Sequence, residues 1–181
     1  MTIAEVRLWG RRIGAVTWDE DGHIASFEYS PRFRASGIEV SPLEMPLDTK
    51  IYQFPALPEE AFRGLPGMLS DSLPDRYGNA LIDEWLARQG REPGSFNPVE
   101  RLCYVGSRGM GALEYRPTRG PGSTVREVDV ARLVELADAI LDRRSSLNAD
   151  LEQDDEAINQ ILQVGTSAGG MRAKAIVAWN R

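Results

Sequence analysis

A glycine-rich stretch near the end of the chain carries the residue types that hold phosphate. Residues 164–178 read VGTSAGGMRAKAIVA, so that two adjacent glycines precede a short β-like run. Adjacent glycines let the backbone take positive φ, and successive N–H groups then point into one anion-binding concavity. Arg172 and Lys174 add positive charge beside the turn. The chemistry that these residues suit is the binding of a phosphate group.

Neither common nucleotide motif fits this stretch. Gly165 and Gly170 have the spacing of a Walker A loop, but Met171 occupies the position where that loop requires lysine. The G-x-G-x-x-G fingerprint of dinucleotide-binding proteins is absent from it. Taken without any relative, the residues favour an ordinary tight connection over a nucleotide site.

Composition narrows the class of protein. The 181 residues are 42% apolar and 27% charged, as in soluble globular proteins of one ordinary domain or two small ones. No apolar run approaches the roughly 20 residues that span a bilayer, and the N-terminus lacks a signal-peptide pattern. A single cysteine, Cys103, excludes an internal disulfide framework. We therefore expect a cytoplasmic protein with no membrane partner, in which Cys103 is a buried apolar residue.

Charge and histidine content argue against two further classes. The formal net charge of −6 opposes direct binding to nucleic acid, which depends on clustered lysine and arginine. The basic pairs Arg11-Arg12 and Arg143-Arg144 are too short to form such a surface. His23 is the only histidine, and with one distant cysteine it does not make a zinc site, so no metal site is predicted.

Apolar and polar residues alternate in three segments near the start of the chain. This period of two appears at 6–8, 16–18 and 25–29, with turn signals at 10–12 and 19–22, and it predicts an antiparallel meander. Five prolines between 31 and 58 predict a crossing segment with at most short strands, such as 51–54.

A helix is predicted after Pro74, because apolar residues recur at i, i+4 from Tyr77 to Leu86 and Gly90 supplies a stop. Asp71 and Asp75 are better suited to starting this helix than to catalysis. Residues 102–105 and 111–115 predict strands around the flexible segment 106–109, and Pro and Gly at 116–123 predict a domain boundary. Beyond it we expect helices at 130–141 and 157–162 and a strand at 175–179.

Three stretches together are similar to the HipA-like kinases, the toxins of bacterial toxin–antitoxin pairs that are associated with persistence. They are FRGLPGMLSDSLPDRYG at 62–78, YVGSRGMGALEY at 104–115 and GTSAGGMRAKA at 165–175. The stretches occur in the family's order and extend over most of the chain, which makes them far more specific than any one alone.

The resemblance implies an α+β fold in three parts. Residues 1–117 would form an N-terminal subdomain with an antiparallel sheet and one or more helices, and 118–127 would be a linker. Residues 128–181 would begin the kinase domain, with helices that lead to a glycine-rich β-hairpin of the small lobe.

The resemblance also assigns the glycine-rich stretch to the loop that covers the phosphates of ATP. Its residues would be Gly165, Thr166, Ser167, Ala168, Gly169, Gly170, Met171 and Lys174. Ser167 matches the autophosphorylation site, although Thr166 beside it is an alternative. A phosphate on Ser167 would add roughly −1.5 to −2 charges inside the same loop, and it would therefore compete with ATP.

The catalytic aspartate and the Mg²⁺ ligands of this family lie downstream of the phosphate loop, in a large helical lobe, and no residue of this chain matches them. We therefore expect a truncated, N-terminal portion of a serine/threonine kinase that has no catalytic residues of its own and is inactive alone. ATP and Mg²⁺ would be cofactors of the full-length parent, and neither is expected to bind tightly to these 181 residues.

Two alternatives remain open at this point. The chain is either such a portion or a separately encoded, non-catalytic module that docks on a HipA-like kinase core and neutralises it. Without the family, it would be a small α+β ligand-binding protein. The resemblance further implies two partners, a HipB-like DNA-binding antitoxin and a protein substrate, which for some family members is an aminoacyl-tRNA synthetase.

Overall fold

Four antiparallel strands form the only sheet among the residues that the computed structural model describes, which are 1–109 and 111–121. The meander consists of β1 (Thr2–Leu8), β2 (Arg11–Asp19) and β3 (Ile24–Tyr29). The fourth strand, β4 (Leu113–Arg116), pairs with the free edge of β1, which gives the order β3-β2-β1-β4. The predicted meander and the predicted α+β class are confirmed.

Five helices accompany the sheet in the described part of the chain. In chain order they are α1 (Pro31–Arg34), α2 (Glu59–Phe62), α3 (Gly67–Ser70), α4 (Arg76–Arg88) and α5 (Pro98–Val105). The helix predicted after Pro74 is α4, and Asp75 caps it by accepting the N–H of Gly78 at 2.9 Å. Asp71 instead follows the last residue of α3, so it does not start a helix.

The prediction of a strand at 102–105 is wrong, because these residues form the second half of α5. Asn97 caps this helix, its side chain accepting the N–H of Glu100 while the Glu100 carboxylate accepts the N–H of Asn97. Pro98 occupies the first turn, where a missing N–H costs nothing. This capping box fixes the helix start, and the apolar run that follows is buried within the helix.

The turn between β1 and β2 also differs from the prediction. It consists of Trp9 and Gly10 alone, both with positive φ, and Arg11 and Arg12 already belong to β2. A two-residue turn of this kind matches the right-handed twist of the strands that it joins.

The chain divides into two compact units. One contains residues 1–73 and 96–120, and the other contains 74–95 together with the chain from 121 onward. Within the second unit, α4 buries Tyr77, Leu81, Ile82 and Leu86. The predicted domain limits at 117 and 127 stay predictions, and the helices and strand expected beyond 121 lie outside the described residues.

One hydrophobic core occupies a single face of the sheet in the first unit. The strands contribute alternate residues, α5 contributes Val99, Leu102 and Cys103, and the segments around α3 contribute Leu65 and Leu69. The prediction that Cys103 is buried is confirmed, and His23 is exposed as expected. Burial of this apolar face is the main term that stabilises the unit.

The prediction of at most short strands in the proline-rich segment 31–58 is confirmed, because only Tyr52 pairs with a strand. Its N–H and C=O bond the C=O and N–H of Phe27. Tyr29 donates its hydroxyl to the carbonyl oxygen of Met45 at 2.9 Å, and the Tyr52 hydroxyl bonds the carbonyl of Pro46. Tyr29 of β3 thus fastens the segment to the sheet, whereas the bond from Tyr52 to Pro46 joins two parts of the segment itself.

We expect Gly64→Ala to destabilise the first unit far more than Gly37→Ala. Both glycines have nearly the same backbone, with φ of +71° and +69°. A Cβ on Gly64 would collide with the carbonyl oxygen of His23 and lie 3.1 Å from the Trp18 ring, whereas nothing lies within 4 Å of one on Gly37. Positive φ costs an alanine about 1 kcal/mol, and the collision adds roughly 2 kcal/mol.

Urea unfolding of both variants, followed by far-UV circular dichroism, measures this difference. Equal midpoints for the two variants would contradict the close approach of Gly64 to the β2–β3 turn.

Candidate functional site

The predicted phosphate loop lies outside the described residues. Gly165, Thr166, Ser167, Ala168, Gly169, Gly170, Met171 and Lys174 all fall in the part of the chain that the structure does not describe. Their assignment as a loop for the phosphates of ATP, and that of Ser167 as a phosphorylation site, stay predictions.

The other two stretches that carry the resemblance meet in the first unit. Tyr115 of β4 lies opposite Val6 in the sheet and is fully buried. Its hydroxyl donates to Ser72 Oγ at 2.8 Å, and Ser72 follows α3. The hydrogen bond therefore joins the part of the stretch 62–78 that lies in the first unit to the stretch 104–115.

The environment of Tyr115 keeps its hydroxyl protonated. Burial raises the pKa of the phenol far above its ordinary value, which outweighs the lowering effect of the hydrogen bond to Ser72. The nearby carboxylate of Asp71 raises the pKa further. A neutral phenol that donates to a hydroxyl has no activated oxygen, so the Tyr115–Ser72 pair acts as a structural clamp.

The end of α5 forms a second connection with the chain that follows it. The carbonyl of Gly106 accepts the N–H of Tyr115 at 3.1 Å, and the carbonyl of Cys103 accepts the N–H of Arg119 at 2.9 Å. The Arg119 guanidinium pairs with the Glu100 carboxylate on the same helix. Residues 115–119 thus satisfy carbonyl groups that a helix end leaves without internal partners.

Cys103, the one thiol of the chain, is an unsuitable nucleophile. Burial raises its pKa to about 11, an effect that Arg119 reduces and Glu100 reinforces. Since the thiolate is the reactive form, this group is almost entirely protonated and inert at neutral pH. Across 1–109 and 111–121 there is also no group of three or more side chains suited to holding a metal ion.

The profile of the HipA N-terminal domain matches residues 4–116, which is more than half of the 181 residues. The chain belongs to the HipA-like family. A comparison with curated proteins gives no match. The four-stranded antiparallel sheet with its helices is consistent with the HipA N-terminal domain, and the family that the three stretches indicated is confirmed.

The matched region contains two of the three HipA-like stretches and excludes the glycine-rich stretch 165–175. In this HipA N-terminal domain both stretches act as connections: one carries Ser72, the other carries Tyr115 and the Gly106 carbonyl. No helix within the described ranges is long and apolar enough to cross a membrane.

Sequence reasoning missed one exposed feature of this domain. Trp9 lies at the tip of the β1–β2 turn with 76% of its surface exposed and a φ of +50°. The available signal was the spacing, since two residues ending in glycine separate two alternating segments, as in a two-residue hairpin.

We expect Cys103 in the folded chain to resist alkylation by iodoacetamide from pH 7 to about 9. Its pKa of about 11 leaves little thiolate in this range, and the rate should rise only as the pH approaches that value. The chain unfolded in urea is the control, because its thiol has an ordinary pKa and full access to the reagent.

Mass spectrometry reports the reaction without ambiguity, since the chain has a single cysteine. If the folded and unfolded chains reacted at the same rate, Cys103 would be neither buried nor protonated as described.

Proposed function

We propose that this chain supplies the N-terminal domain and the ATP phosphate loop of a HipA-like serine/threonine kinase, the toxin of a bacterial toxin–antitoxin pair. The observation that carries the proposal is the match of the HipA N-terminal domain to residues 4–116. The glycine-rich stretch 165–175 then follows in the order that HipA-like kinases have. The N-terminal domain is a scaffold, and the chemistry belongs to the kinase domain that follows it.

In this proposal the loop binds ATP with its backbone. N–H groups around Gly169 and Gly170 point toward the phosphates, and Lys174 contributes a positive charge. Mg²⁺ enters with ATP and is held by the catalytic lobe. Ser167 is the site of an inhibitory phosphorylation, since its phosphate occupies the same concavity as those of ATP.

The partners follow from the same family. A HipB-like DNA-binding antitoxin would contact DNA in place of this acidic chain, and the substrate would be a cytoplasmic protein, such as an aminoacyl-tRNA synthetase.

A second function is supported by the packing of the first unit. Its core cluster is drawn entirely from residues of that unit between 4 and 115, so the unit has a hydrophobic core of its own. The HipA N-terminal domain would then act as a separate module that docks on a kinase core and neutralises it. A phosphorylation assay of a HipA-like kinase core, with and without the added chain, distinguishes this module from the kinase portion.

We expect Lys174→Ala, in the full-length product of the gene, to weaken ATP binding by about tenfold or more, the loss of one charge-assisted contact to phosphate. The chain has only two lysines, and Lys50 provides the matched control. Lys50 lies 4.9 Å from the ring centre of Tyr52, so Lys50→Ala should leave ATP affinity unchanged. Titration calorimetry with Mg²⁺ and ATP measures both variants.

The same titration tests Ser167. Ser167→Ala should bind ATP nearly as well as the unmodified protein, whereas phosphorylated protein should bind it far more weakly. Ser167→Asp should have a smaller effect, because it carries one charge and fewer acceptor oxygens. Equal ATP binding before and after phosphorylation would show that Ser167 is not the switch.

A further inference from the structure

The tip of the β1–β2 hairpin presents a tryptophan where the backbone favours another residue. Trp9 and Gly10 have φ of +50° and +73°. Turns with two positive φ values select Asn, Asp or Gly, and a bulky residue in this conformation is an outlier. With 76% of its surface exposed, the indole gains little packing that would offset the strain. The stability of the fold therefore does not explain Trp9.

The residues around this tryptophan carry excess positive charge. Arg11 and Arg12 follow the turn and are both exposed. Arg12 lies 3.7 Å from the carboxylate of Glu5, which Arg7 also contacts, so that one carboxylate is shared by two guanidinium groups. Arg11 has no ion pair with any described residue. The neighbouring strand β4 places Glu114 opposite Arg7 and Arg116 opposite Glu5. It therefore adds one residue of each sign and leaves the excess of positive charge unchanged.

We propose that this hairpin tip, defined as Trp9, Arg11 and Arg12, is a docking site for an acidic segment of a protein partner that also carries an apolar side chain. Tryptophan and arginine dominate the energetics of protein interfaces, and guanidinium groups pair with carboxylates in two-point contacts. The proposal concerns residues 9–12 alone and does not depend on ATP binding.

The small number of exposed cations at the hairpin tip favours a protein segment over nucleic acid as the partner. Binding to a phosphate backbone requires many clustered cations, whereas the tip has two exposed arginines in a chain of net charge −6. Arg11 and Arg12 are adjacent in β2 and lie on opposite faces of the hairpin end, Arg11 beside Leu8 and Arg12 beside Arg7. A short acidic segment that passes over the turn can pair with both guanidinium groups, while the indole covers the apolar side chain.

The test uses fluorescein-labelled synthetic peptides in which glutamate alternates with leucine or phenylalanine, titrated with the 181-residue chain and followed by anisotropy. We expect saturable binding that weakens as salt is added. Trp9→Asn should weaken it by about tenfold or more without lowering the midpoint of unfolding, because asparagine suits the turn. If Trp9 had only a structural role, Trp9→Asn would lower the midpoint of unfolding and leave peptide binding unchanged.

Leu43→Asn is the matched control. Leu43 is also an exposed apolar residue, at 92%, but its neighbour is Glu44 and it lies far from the turn in sequence. This variant should bind the peptides like the unmodified chain, whereas Arg11→Gln and Arg12→Gln should each weaken binding.

Four results would overturn the proposal. The first is the absence of peptide binding, and the second is an equal loss of binding in Leu43→Asn. The third is Trp9-dependent binding of a single-stranded oligonucleotide that is tighter than that of the peptides. The fourth is self-association of the chain that Trp9→Asn abolishes, since a second copy would then be the occupant.

Discussion

The pairing of β1 with β4 is the constraint on which the rest of the described domain depends. It places Leu113–Arg116 against Leu8–Glu5, and so joins the beginning of the chain to a segment about a hundred residues later. Closing a loop of that length costs entropy, although the cost rises only slowly with length. Burial of Tyr115 in the hydrophobic core of the first unit offsets this entropic cost. Once β4 is in register, Tyr115 reaches Ser72 with its hydroxyl and Gly106 with its N–H.

The helix α5 is held at both ends, and the pairing of β1 with β4 places the strand that holds its C-terminal end. At the N-terminal end, the Asn97 amide donates to Thr2 Oγ1 and to a carboxylate oxygen of Glu20, both at 2.9 Å. The other Glu20 oxygen accepts the indole N–H of Trp18. The C-terminal end bonds β4 through Gly106. The helix is thus held at both ends, and its thiol, Cys103, is buried and protonated.

The sequence predicted the elements whose signals are local. Alternation located the three meander strands, and the cap at Asp75 with i, i+4 spacing located α4. The run at 102–105 misleads because a short, continuously apolar segment does not distinguish a buried strand from a buried helix. The capping box of Asn97 and Glu100, with Pro98 between them, was the signal that would have corrected it. The Tyr115–Ser72 bond depends on tertiary register, which no local pattern contains. The prediction of a phosphate loop rests on family resemblance alone.

The claim that this member of the HipA-like family supplies an ATP phosphate loop is tested most directly by hydrogen exchange, measured by mass spectrometry. The sample is the full-length gene product, with and without Mg²⁺ and ATP. Amides that bind phosphate are withdrawn from exchange, so peptides covering 165–174 should become protected on addition of ATP, while those covering β1 and β4 should not change. Protection elsewhere with none at 165–174 would contradict the account.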